Sequence, residues 1–122
     1  MIHPAIHDLL WNLGRTAAFA ELVHALRNPG AAVNLSGLTQ TAKALYLVLL
    51  WQTSERPLLV LTESSKQAEA LSETIETFFD LLVSGKPAGS PQLIPALDVI
   101  PGQKLSPHNE ILEQRAVGLW RM

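Results

Sequence analysis

Residues 31–44 read Ala31-Ala32-Val33-Asn34-Leu35-Ser36-Gly37-Leu38-Thr39-Gln40-Thr41-Ala42-Lys43-Ala44. From Gly37 onward the stretch has the length of a phosphate-binding loop, G-x-x-x-x-G-K-[ST]. In the intact motif the second glycine lets backbone N–H groups close on phosphate oxygens, the lysine reaches the β/γ-phosphates and the final hydroxyl holds Mg²⁺. Gly37 and Lys43 stand in frame, but Ala42 takes the second glycine position and Ala44 the hydroxyl position. The metal ligand is therefore missing, and Cβ of Ala42 restricts how closely the loop can wrap. Thr41 and Lys43 complete a relic with Gly37, Ala42 and Ala44, from which no cofactor binding is expected. A lysine in the first turn of a helix opposes the macrodipole, and an ancestral phosphate partner accounts for it; an ordinary turn with a solvated lysine is the plain alternative.

Working outward, the apolar run 31–35 reads as a strand after the Asn28-Pro29-Gly30 turn, and residues 42–51 as a helix. Pro57-Leu58-Leu59-Val60-Leu61-Thr62 is a continuous apolar run of the kind buried on both faces of a parallel sheet. Ser64 or Ser65 can cap a helix to about Val83, with Ala68, Leu71, Ile75, Phe78, Phe79 and Leu82 on one stripe. Residues 84–91 form a loop by composition, and Gln92-Leu93-Ile94-Pro95 reads as a short third strand. Residues 96–107 are irregular, and a last helix starts near Pro107-His108. Upstream, residues 4–27 keep helical spacing, and Gly14 within them predicts either one weakened helix or two shorter ones with a break near Gly14-Arg15.

Strands alternating with helices predict an α/β fold: a partial P-loop, helicase-like (RecA-like) parallel sheet flanked by helices. Residues 1–30 are a helical extension and residues 31–122 the α/β lobe with its degenerate loop, incomplete at its C-terminal end. Three strands are few for such a sheet, so the chain reads as the front part of a larger protein.

The 122 residues are 48% hydrophobic and 16% charged, with a formal net charge of −2 and no cysteine. This fits one folded domain with a fairly apolar surface, and it argues against an autonomous nucleic-acid binder, whose affinity comes from clustered Lys and Arg. It also excludes disulfides and thiolate metal sites. No signal peptide is visible at the N-terminus and the longest apolar run is too short to span a bilayer, so a soluble, cytoplasmic chain with no membrane partner is expected.

Other candidate residues carry weaker signals. Asp98 sits among prolines, where a short acid orders a turn more readily than it binds metal. His3 and His7 with Asp8 have a possible ligand spacing, and His108 with Glu110 marks a helix start that welcomes negative charge. Ser64, Ser65 and Ser106 lack a nucleophile-elbow setting. Trp11, Phe19, Trp51, Phe78, Phe79 and Trp120 read as core or interdomain contacts. Lys86, Lys104, Arg115 and Arg121 are candidates for DNA contact, or ordinary solvated surface.

Three blocks resemble the N-terminal, UvrB-like region of the bacterial transcription-repair coupling factor (Mfd). The first is residues 35–44, similar to that family's degenerate loop. The second is residues 57–62 with the acidic helix that follows. The third joins Pro95-Ala96-Leu97-Asp98-Val99-Ile100-Pro101 to Leu105-Ser106-Pro107-His108 and then Glu113-Gln114-Arg115 to Leu119-Trp120-Arg121. Leu97 stands where the family commonly has tryptophan, Gly102 where an aromatic is usual, and Gln114 separates Glu113 from Arg115. The resemblance implies a lobe that is not an enzyme, within a protein whose downstream motor uses ATP and Mg²⁺ to translocate on DNA. It also implies partners: the remaining domains of the same polypeptide, UvrA through a neighbouring inserted domain, and RNA polymerase and DNA through the full-length protein. The implied role is recruitment of nucleotide excision repair to stalled RNA polymerase. A nucleotide-binding ATPase or helicase fragment, or a DNA-contacting module, is the alternative.

Overall fold

A computed structural model describes residues 4–83, 90–100 and 102–122. Five helices follow one another: α1 (Pro4–Leu13), α2 (Ala17–Leu26), α3 (Gln40–Ser54), α4 (Ser65–Leu82) and α5 (Asn109–Trp120). Residues 4–27 form two helices and not one weakened helix: Gly14-Arg15 ends the first, and the Thr16 hydroxyl starts the second by accepting from Phe19 N–H. Ser64 caps α4 in the same way, accepting from Gln67 N–H. In each case a short polar side chain in extended conformation satisfies an orphan donor of the first turn.

The α/β expectation is overturned: among the described residues there is no strand and no sheet. Residues 31–35, 57–62 and 92–95 are irregular in the structure, and none pairs with another. A continuous aliphatic run specifies burial and leaves open what buries it, whereas a strand exists only with a backbone partner in a ladder. Here Leu59 is 67% and Leu61 85% exposed, so the run lies on the surface. Residues 84–89 of the expected loop 84–91, Lys86 among them, lie outside the described residues, as do His3 and Pro101.

The core is helical. Leu45, Val48 and Leu49 of α3 bury against Phe79 and Leu82 of α4 and against Phe19 and Leu22 of α2. The rings of Trp51 and Phe79 meet at 5.1 Å, and those of Phe19 and Tyr46 edge-on at 5.5 Å. Gln52 Nε2 donates to the Leu82 carbonyl at 3.3 Å, tying the ends of α3 and α4 together. The helix α1 buries no residue of its own and touches α4. Residues 4–27 thus supply two core side chains, Phe19 and Leu22, to the helices of the following segment.

Candidate functional site

The phosphate-loop frame folds as a helix start. Gly37 takes φ +77°, a left-handed conformation that suits glycine, and Thr39 caps α3 two residues later. The helix therefore begins at Gln40, three residues before Lys43, and Thr41 and Ala42 sit within its first turn. An intact loop keeps this stretch open around the phosphate. Alanine at 42 does the opposite: it is the best helix former, and the helix extends through it.

The donors are occupied accordingly. Ala42 N–H donates to the Thr39 hydroxyl at 3.2 Å and Lys43 N–H to the Thr39 carbonyl at 2.9 Å. Two amides that a phosphate would need are thus bonded to a single threonine. Ala44 is 0% exposed, packed inside the helical core. A hydroxyl at this position faces protein and not a metal ion. Lys43 is exposed at the mouth of a cavity of about 640 Å³ whose walls are mainly aliphatic, among them Leu22, Val33, Leu35 and Leu61. Lysine and glycine of the frame are present, but the geometry around them is that of a capped helix.

The third sequence block, in contrast, is assembled into a unit. The irregular segment from Gln92 to Asp98 runs antiparallel along α5, and four contacts pin it. Arg121 donates to Gln92 Oε1 at 3.1 Å, and Arg115 to the Pro95 carbonyl at 2.6 Å. His108 N–H donates to the Asp98 carboxylate, 3.2 and 3.3 Å from its two oxygens. Between these bonds Gly118 admits Ile94: an added Cβ would lie 2.5 Å from Ile94 Cγ1. Asp98 therefore satisfies the amide at the start of α5, whose own His108 side chain makes no capping bond. A carboxylate there also complements the positive end of the helix.

This clamp takes two of the candidate DNA-contacting cations, Arg115 and Arg121, into bonds within the chain. The family resemblance places Pro95, Asp98, His108, Arg115 and Arg121 in one block, whereas Gln92 enters the sequence reading only as part of an expected strand and Gly118 not at all. A glycine at an interior helix position was the available signal for the latter, since it weakens a helix unless something packs closely against it.

The remaining candidates do not converge. His7 and Asp8 approach to 3.7 Å and the His7 ring stacks on Trp11 at 6.3 Å on α1. Among the described residues no group of three or more His, Asp or Glu side chains is placed to hold a metal. The Ser64 hydroxyl is used as a helix cap. Phe19, Phe79 and Trp51 pack in or against the core, whereas Trp120 is 86% exposed. No helix among the described residues is long and apolar enough to cross a membrane.

Comparison with protein-family models, with curated proteins and with solved structures gives no match to this chain.

Proposed function

We propose that this chain is a non-catalytic structural lobe of a transcription-repair coupling factor, supporting recruitment of nucleotide excision repair to stalled RNA polymerase. The observation that carries the reading is the clamp between residues 92–98 and α5. Within the block that has the most specific resemblance to that family, His108 N–H bonds to the Asp98 carboxylate and Arg115 to the Pro95 carbonyl, 10 and 20 residues apart. The helix so held turns Leu112, Ala116, Leu119 and Trp120, at i, i+4, i+7 and i+8, outward. An apolar stripe on a helix fixed from behind is suited to contact with a neighbouring domain of the same polypeptide.

The occupied amides of Ala42 and Lys43 and the burial of Ala44 support the non-catalytic part of the reading. Phosphoryl transfer rests on metal positioning and preorganised donors, and this helix start offers neither. The recruitment reading does not depend on a sheet, and none is present among the described residues. It rests on the residue blocks and on the clamp.

Two measurements test it. In titration calorimetry with Mg-ATP the chain is expected to give no binding heat, and the Ala42→Gly/Ala44→Thr variant none either, because the hydroxyl introduced at position 44 would be buried. In a bacterial coupling factor whose matching segment is replaced by this chain, strand-specific repair is expected to persist. It should fall when Leu119→Glu and Trp120→Glu are added. Saturable Mg-ATP binding by the unaltered chain, or repair no better than in a strain lacking the factor, would sink the proposal.

A further inference from the structure

The C-terminal ends of α2 and α3 meet at a second cavity, of about 350 Å³, away from the loop frame. Arg27, the C-cap of α2, borders it together with Ser54, the last residue of α3, and Arg56. Glu55 between them takes φ +51°, a left-handed C-cap that turns the chain out of α3 and brings Arg56 to the cavity. Val23, Leu26 and Leu58 supply apolar wall.

Two features of this cavity lack an internal explanation. Neither guanidinium makes an ion pair or a hydrogen bond among the described residues, whereas those of Arg115 and Arg121 each close on an acceptor. No Asp or Glu among the described residues lines the cavity.

An arginine beyond a helix end is commonly there for the last carbonyls. Here Trp51 accepts from Glu55 N–H, His24 from Arg27 N–H and Ala25 from Asn28 N–H, and neither guanidinium bonds to a carbonyl among the described residues. The two helix ends contribute roughly half a negative charge each, against two full positive charges on the guanidiniums, so the cavity favours an anion. His24 and Arg27 also border an adjoining cavity of about 340 Å³, which adds a further basic side chain nearby.

We propose that this cavity binds a small organic phosphate, the phosphoryl oxygens taken by Arg27 and Arg56 and the apolar part lying against Leu26 and Leu58. The planar guanidinium fork matches phosphate oxygens. The cavity volume lies at the small end of the ligand-site range of about 300–1,000 Å³. This proposal stands apart from the recruitment reading and does not depend on it.

The test is a titration of the ¹⁵N-labelled chain with phenyl phosphate, inorganic phosphate and benzyl alcohol, followed by amide NMR. Phenyl phosphate is expected to move the amides of residues 23–27 and 54–56 saturably, with inorganic phosphate weaker. Arg27→Gln and Arg56→Gln, both at exposed positions, should each weaken phenyl phosphate by about tenfold while leaving the remaining spectrum unchanged, as loss of one charge-assisted pair implies. Absence of saturable shifts, affinity unchanged in the two variants, or benzyl alcohol binding as tightly as phenyl phosphate would each overturn the proposal. Inorganic phosphate binding as tightly as phenyl phosphate would overturn its apolar part.

Discussion

At residue 39 one side chain determines what the loop frame becomes. Thr39 caps α3 with its hydroxyl and accepts the next helical bond with its carbonyl, so the amides of Ala42 and Lys43 are turned inward to the helix. Thr39→Ala removes the hydroxyl and is expected to cost about 1 kcal/mol, the typical worth of such a cap, measured by urea unfolding. An unchanged midpoint would mean that the cap contributes nothing to stability. The polar alphabet of this frame was legible from the sequence, including the two positions, Ala42 and Ala44, that depart from the phosphate-loop pattern. That the helix would start three residues before the lysine was not, although alanine at 42 and threonine at 39 are the residues that cause it.

At the scale of elements, the helix starts and stops follow from local chemistry, and the clamp on α5 does not. Thr16, Ser64 and the Gly14-Arg15 break act on neighbours within a turn, which is why spacing and capping residues mark them. The segment 92–98 reaches α5 through contacts 10 to 29 residues apart, which no local pattern encodes. Gly118 is the sensitive point. Gly118→Ala gains about 0.5–1 kcal/mol of helix propensity but forces a Cβ against Ile94, an overpacking that costs about 1–3 kcal/mol. A net loss of about 1 kcal/mol is expected. Hydrogen exchange should show it as faster exchange in α5, with protection in α3 left intact. Stabilisation by this substitution would show that Ile94 is free to move aside.

For the molecule as a whole, a helical core of modest size supports a large exposed aliphatic surface. Phe19 is 2% exposed and joins α2 to the core built on α3 and α4, so Phe19→Ala is expected to cost about 3–5 kcal/mol. That is a large part of the stability of a small domain, and thermal unfolding should show a collapse of the cooperative transition. Leu61, 85% exposed, is the contrasting position. Leu61→Lys is expected to change stability by no more than about 0.5 kcal/mol while lowering binding of an apolar dye. A large loss of stability would mean that the aliphatic run is buried in solution.

The sequence by itself determined the helices, their caps and the departure of Ala42 and Ala44 from the phosphate-loop pattern, because each depends on residues within one or two turns of one another. The tertiary structure alone decided that residues 31–35, 57–62 and 92–95 are not strands, that Ala44 lies in a helical core, and that Arg27 and Arg56 share a cavity. Apolar pattern states that a segment is to be covered. The partner that covers it, or its absence, is set by packing between elements distant in the chain.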